Sequence, residues 1–338
     1  MAALSSRLYR TVPPPVVRFA VALRFSAFMP NGRRVRVLAG DAQDARLSFE
    51  NDGKWFTATV GGDLLTRAGI NSLWKRGPVM AYFAARCAAD AVEASLADYS
   101  SQPGVLTFCS NHPDAVLVPD RAFMTPRVYE PYRAAGTQVA WADREDVVQW
   151  RGSPSGQGEM INAWMDAANP MLRQRVRMCL ALRDMPGVDV AFAERADLAP
   201  YGLSGARIPP LAWAKVRYAI DIDGFSAAWM NFFSRLLLGC CVIKVASPYG
   251  FRQWFYDALV PWIHYVPVKA DLSDLADKIA WCRANADACR QIAEEGQRFA
   301  LARTPETETP LTLARIDAAL GARAVPVPPG APLREQKS

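Results

Sequence analysis

Histidine is nearly absent from this 338-residue chain, which holds only His112 and His264. That argues against a zinc centre built on imidazoles. The seven cysteines, at 87, 109, 179, 240, 241, 282 and 289, are odd in number and form no CxxC pair, so they read as reduced, mostly buried thiols of a cytosolic protein. Cys240 and Cys241, as neighbours, point to opposite faces of a strand and so fill core rather than bridge. There is no GxGxxG fingerprint, no polybasic run and no RNA-binding signature. A net charge of +6 therefore suits small anionic partners or acidic headgroups better than nucleic acid. No apolar run is long enough to span a bilayer. Arg18 and Arg24 interrupt the N-terminal segment that would otherwise supply a signal peptide's apolar core.

What is present is core material. Apolar residues make up 51% of the chain and aromatics 10%, and the length exceeds what one core usually serves, so two domains are expected. Residues 16–29 have the makings of a short basic amphipathic helix, suited either to packing on the first domain or to lying on an anionic membrane. Strand patterns follow at 34–40 (RVRVLAG), 45–50 (ARLSFE) and 54–60 (KWFTATV), with a tight turn at Asn51-Asp52-Gly53. Residues 64–96 are spaced for a helix. Two short buried strands, 104–109 and 115–118, flank the polar loop Ser110-Asn111-His112-Pro113-Asp114. Residues 158–184 also read as helical, interrupted at Asn169-Pro170, with Arg173, Arg175 and Arg177 on a solvated face.

The organising stretch is 215–268. An apolar strand, Tyr218 to Ile222, ends at Asp223-Gly224; a helical pattern covers Phe225 to Leu238 and stops at Gly239; a second strand occupies 240–245. This is a βαβ unit, and ligands settle where carboxyl ends of parallel strands meet helix starts. A second strand end, Trp150-Arg151-Gly152-Ser153, offers a guanidinium fork and a hydroxyl suited to phosphate. The bland alternative pairs Arg151 with a neighbouring acid such as Asp143 or Asp146.

The run Tyr218-Ala-Ile-Asp-Ile-Asp-Gly224 is followed by Trp229, Leu236 to Gly239, Val242 to Lys244, Ser247-Pro248-Tyr249, Leu259 to Trp262, His264 to Val268 and Ile292 to Gly296. In order and spacing these resemble glycosyltransferase family 90, most densely over residues 147–300, with the bacterial lipopolysaccharide-core branch the most similar. The resemblance implies an α/β protein of GT-B type, two Rossmann-like domains facing across a cleft. The expected division is an acceptor domain 1–146, a nucleotide-sugar domain 147–304 and a C-terminal segment 305–338, disordered from about 325. It implies donor contacts from Arg151, Gly152, Ser153, Asp223, Gly224, Phe225, Ser226, Ala227 and Trp229. Ser247 is a further expected donor contact, and Met230 stands where an arginine is expected, with Lys244 or Arg252 as substitutes. Asn111 stands where relatives carry a catalytic aspartate. An amide cannot accept a proton from a hydroxyl, so the base falls to Asp120, then Asp114, then His112. Asp221-Ile222-Asp223 has the spelling of a DxD metal motif but lies on a buried strand and reads as structural or as a sugar-hydroxyl acceptor.

The expected activity is inverting, metal- and cofactor-free transfer of a hexose or pentose from a nucleotide sugar, such as a UDP-sugar, to a glycan or lipid-linked saccharide of the envelope. The expected place is the cytoplasm, with peripheral contact to the inner membrane. The alternative is a catalytically silent relative that binds nucleotide or glycan as an assembly partner.

Overall fold

The computed structural model describes residues 14–321, which pack as two compact units. Unit 1 takes residues up to Ser95, then Gln102–Leu106 and the stretch from Pro310; unit 2 takes Leu96–Ser101 and Thr107–Thr309. Residues 107–146, assigned to the first domain on the sequence reading, thus pack with the second. The tail beyond 325 lies outside the described residues.

Unit 1 begins with helix α1 (Pro14–Ser26), which buries Val17, Val21 and Phe25 at a spacing of four. Phe25 meets Phe49 with ring centroids 6.3 Å apart, and Phe49 stacks on Phe56. Strands β1 (Arg34–Gly40), β2 (Arg46–Asn51) and β3 (Trp55–Gly61) form as expected. β2 and β3 make an antiparallel hairpin, its turn fixed by Asp52 Oδ1, which accepts from the Lys54 and Trp55 N–H groups at 2.9 and 2.6 Å. β1 pairs parallel to β3 on the other side. Helix α2 spans Ile70–Ala84 only; Ala91–Ser95 is strand β4, antiparallel to β2. Alternating burial of Val92 and Ala94 against exposed Ala91 and Glu93 decides for the strand, where the sequence had suggested continued helix. Leu106, at the head of β5 (Leu106–Thr107), bridges to Ala94. Helix α8 (Pro305–Gly321) contributes Asp317, whose carboxylate accepts from the Ala88 N–H at 2.7 Å.

Unit 2 holds short β6 (Val116–Leu117), helix α3 (Pro126–Gly136), β7 (Glu145–Gly152), α4 (Gln174–Leu182), β8 (Val188–Ala193), β9 (Ser204–Gly205), β10 (Val216–Asp221), α5 (Met230–Leu237), β11 (Cys241–Val245), β12 (Val266–Val268), α6 (Leu275–Ala284) and α7 (Ala286–Leu301). Its sheet is all parallel, in the order β9-β8-β7-β10-β11-β12. Counted within this sheet the order is 3-2-1-4-5-6, the doubly wound dinucleotide-fold order. Parallel strands covered on both faces need continuous apolar runs, and β11 is buried at every position.

Two further helices are shorter than the sequence suggested. The 158–173 stretch is irregular, leaving α4 to start at Gln174. Helix α5 starts at Met230 rather than Phe225, because Trp229 takes φ 50° and ψ −116°, outside helical space. Its other end is closed by Gly239 at φ 73° and by Arg144, which donates to the Leu238 and Gly239 carbonyls at 2.9 and 2.6 Å. Six of the seven cysteines are buried and all are free thiols. Among the described residues, no helix is long and apolar enough to cross a membrane.

Candidate functional site at the topological switch

In a 3-2-1-4-5-6 sheet the chain departs in opposite directions from the two central strands, leaving a crevice beyond their carboxyl ends. Those strands are β7 and β10, paired through Tyr218 with Val148 and Ala219 with Gln149. The loops after both enclose a cavity of about 210 Å³. Ser153 and Ser155 line it from the β7 side, Gly224 to Trp229 from the β10 side, Arg175 from α4, and Asp98 from the loop after β4. Seven expected donor contacts therefore converge here: Gly152, Ser153, Gly224, Phe225, Ser226, Ala227 and Trp229.

Gly224 lacks a side chain for a reason visible in its surroundings. A Cβ there would collide with the Ser155 hydroxyl and stand 3.2 Å from Arg175 Nη2. Trp229 holds its strained backbone with its ring 6.2 Å from that of Phe108.

Arg175 was expected on a solvated helix face and is instead 6% exposed. Its Nε donates to the Asp223 carbonyl and its Nη2 to the Ile222 carbonyl, both at 2.9 Å; its Nη1 donates to the Ser153 carbonyl at 2.9 Å and to Ser155 Oγ at 2.8 Å. One guanidinium thus ties the two loops of the switch together, with four of its five N–H groups committed. Burial depresses its pKa, and the carboxylates of Asp221 and Asp223 counter that. The charge stays, because guanidinium does not give up its proton in proteins.

Beneath the turn sits a buried ionic cluster. Lys244 Nζ lies 2.8 Å from Asp221 Oδ2 and 3.2 Å from Asp223 Oδ1, all three side chains being buried. Burial works against the ammonium, but Asp221, Tyr256 and Asp223 outweigh it and raise the Lys244 pKa well above the ordinary lysine value. The two aspartates are therefore balanced by Lys244 and Arg175, which makes the Asp-Ile-Asp segment structural. Lys244, saturated by carboxylates, is not placed to meet a diphosphate. Among the described residues no three His, Cys, Asp or Glu side chains are grouped to hold a metal ion.

Several expected contacts lie elsewhere. Arg151 is bonded to an acid, though to Asp189 on β8 rather than Asp143 or Asp146, with Nη2 2.6 and 2.8 Å from its oxygens. Ser247 Oγ closes a turn by accepting from the Phe251 N–H at 2.9 Å. Arg252 pairs with Asp257 at 2.9 Å and reaches the His112 carbonyl at 3.3 Å, while its backbone bridges to Ser110. Asp120 is 6% exposed and caps a turn, Oδ1 accepting from Ala122 and Phe123 at 2.7 and 3.1 Å. His112 Nδ1 accepts from the Asp114 N–H at 3.1 Å, and Asn111 Oδ1 accepts from Ser101 at 2.7 Å. None of His112, Asp114 or Asp120 lines a cavity at the switch. The carboxylate that does is the exposed Asp98, missed because it follows a strand read as helix.

A second cavity, of about 520 Å³, adjoins the first and shares Gly152, Ser153 and Asn231 with it. Four arginines line it, Arg151, Arg195, Arg207 and Arg235, of which the first three are paired with Asp189, Asp197 and Glu194. Arg235 lies 3.6 Å from the centroid of the Trp213 ring, and burial lowers its pKa to about 10. Met230, at the start of α5, also lines this cavity.

The model of glycosyl transferase family 90 matches residues 126–304. Protein O-glucosyltransferase 3 of Homo sapiens is 44% identical over 87 residues, 25% of this chain and 16% of that protein. Protein O-glucosyltransferase 2 of Danio rerio is 36% identical over 110 residues, 32% of this chain and 21% of that one. An uncharacterized protein, 179R of Invertebrate iridescent virus 6, is 41% identical over 97 residues, 27% of this chain and 8% of that one. The matches thus cover less than a quarter of each of these relatives' length. Among solved structures, a glycosyltransferase from Rickettsia africae overlaps with TM-score 0.36 at 10% identity, covering 64% of this chain and 63% of that one. HepE of Anabaena in complex with UDP-glucose overlaps with TM-score 0.32 at 13% identity, covering 57% and 52%.

Proposed function

The chain belongs to glycosyltransferase family 90, and on that premise we propose that it transfers a sugar from a nucleoside diphosphate sugar to an acceptor hydroxyl at the β7/β10 switch. The observation that carries this reading is the convergence of Ser153, Ser155, Gly224, Arg175 and Asp98 on one cavity. The sugar and diphosphate occupy that cavity, and the nucleoside, uridine by preference, extends into the adjoining arginine-lined one.

The reaction is a direct displacement with inversion. The acceptor oxygen bonds to the anomeric carbon, the bond from that carbon to the diphosphate breaks, and the acceptor proton passes to the Asp98 carboxylate. The departing diphosphate gains negative charge beside the Arg175 guanidinium and the Ser153 and Ser155 hydroxyls, donors fixed before the reaction begins. No cofactor enters this scheme, and the neutralising charge it uses belongs to the protein. The acceptor we favour is a lipid-linked or core saccharide of a bacterial envelope, met on the cytoplasmic side. There the exposed Val16, Phe19 and Leu23 of α1, with Arg18 beside them, would rest on an anionic membrane.

The silent alternative drew on Asn111 and Met230. Asp98 and Arg175 offer the carboxylate and the cation those positions lack, which favours the transferase. Asp98→Asn is the direct test, since the exposed side chain should be dispensable for folding. Donor binding, read as a thermal shift with UDP-sugars, should persist while turnover falls by about 10² to 10⁴. Unchanged turnover would remove Asp98 from the mechanism; donor binding with no diphosphate release from wild type, whatever acceptor extract is supplied, would favour the silent alternative.

A further inference from the structure

Away from the switch, the second unit carries a hollow of about 590 Å³ between the loop before β12 and helices α6 and α7. Trp262 and Ile263 enter from the loop, Trp281 from α6, and Gln291, Glu294 and Glu295 from α7.

Trp262 has φ 66°, a left-handed backbone that bulky residues seldom adopt. The loop nevertheless pins it. Its N–H donates to the Tyr265 carbonyl at 2.8 Å, the His264 N–H donates to the Val260 carbonyl at 2.9 Å, and the Val260 N–H donates to His264 Nδ1 at 2.9 Å. The outcome of this bracing is display: Trp262 stays 42% exposed, Ile263 47% and Val260 44%. Backbone strain maintained by surrounding bonds is typical of binding positions. The Trp262 and Trp281 rings meet 4.8 Å apart at 75°, forming an aromatic corner.

The charges around this corner are already matched. Lys278 Nζ sits 4.8 Å from the centroid of the Trp262 ring, Glu294 pairs with Arg290 at 2.9 Å, and Glu295 pairs with Arg298. An ionic ligand would find no unmatched counter-charge. What the hollow still offers is apolar aromatic surface edged by an amide and carboxylate oxygens. A pyranose has that complementary character, a C–H face rimmed by hydroxyls. We propose that this hollow binds a neutral oligosaccharide, one sugar ring against Trp262 and its hydroxyls toward Gln291, Glu294 and Glu295. The site is separate from the donor cavities and stands whether or not transfer occurs there.

The experiment titrates the full chain with neutral pentasaccharides of glucose, galactose, mannose and xylose, followed by saturation-transfer NMR and tryptophan fluorescence. At least one should bind saturably and remain bound in excess UDP-glucose. Trp262→Gly, which keeps the left-handed backbone unstrained, should weaken it at least about tenfold while the protein still melts in one cooperative transition. Glu294→Ala, on the helix surface, serves as a second variant and should weaken binding as well. The proposal is wrong if no pentasaccharide binds, if both variants bind like wild type, if UDP-glucose displaces the sugar, or if choline binds the hollow in place of every saccharide.

Discussion

Arg175 donates from Nε to the carbonyl oxygen of Asp223 at 2.9 Å, so a helix residue 48 positions earlier in the chain holds the turn that lines the switch cavity. The same guanidinium holds Ser153 and Ser155 across the crevice. Removing it would strand several buried carbonyls at once. Arg175→Ala is expected to lose about 3 kcal/mol of stability in urea unfolding and to abolish the thermal shift with UDP-sugars. Arg175→Lys keeps the charge without the planar fork and should retain more stability than alanine while still binding donor poorly. Donor binding unaltered by either change would separate this residue from the site.

The Asp221–Lys244–Asp223 cluster makes a charge-balance prediction. Lys244→Met leaves two buried carboxylates without their ammonium, a loss expected to cost about 3–5 kcal/mol. The triple variant Asp221→Asn, Asp223→Asn, Lys244→Met should recover much of that, measured by denaturant midpoint. If the single change is tolerated as well as the triple, the cluster is not holding charge as described.

Asp120 separates structural from chemical roles. Asparagine can still accept at the turn, so Asp120→Asn should match wild type in both stability and turnover, while Asp120→Ala should cost about 1 kcal/mol. A large loss of turnover in the asparagine variant, with stability intact, would return Asp120 to the mechanism.

His264 gives the loop before β12 a pH dependence. Burial lowers its pKa, and its Nδ1 accepts from the Val260 N–H, a bond available to the neutral ring only. Because the folded value lies below the unfolded value of 6.5, the contribution is fully present above about pH 6.5 and is lost as pH falls through the lower folded value. Urea midpoints measured from pH 7.5 downward should decline through that window, and His264→Asn, whose amide oxygen can accept the same bond, should flatten this part of the decline.

Much of the second unit was legible because parallel strands announce themselves. Tyr218 to Ile222 and Cys241 to Val245 are buried without alternation and apolar but for one charged residue each, Asp221 and Lys244, and the Gly239 stop and Asp223-Gly224 turn bracketed them correctly. The turn after β10 and the serine after β7 were legible as strand-end loops and line the switch cavity; Asp98, which lines it too, was not legible. Residues 88–96 carry several alanines, which fit a helix of period 3.6 as easily as a strand of period 2, and only pairing with β2 decides between them. Noting Val92, Ala94 and Leu96 as an alternating set would have ended the strand just before Asp98. Arg175 left even less trace. It sits between Arg173 and Arg177, and sequence spacing cannot tell a guanidinium facing solvent from one folded under a turn. Its one advance signal was the pair of buried acids, Asp221 and Asp223, which together call for more cation than Lys244 supplies.

The strand order also constrains how the crevice comes into being. Its two walls, β7 and β10, are hydrogen-bonded neighbours, yet β8 and β9 are threaded between them in the chain. During synthesis the first wall must wait, its inner edge open, until more than sixty further residues have emerged and doubled back. A nascent chain halted before Val216 has the serine loop but no β10 wall opposite it. The crevice therefore cannot form piecemeal along the ribosome; it arrives in one late closure, when the second wall docks against the first.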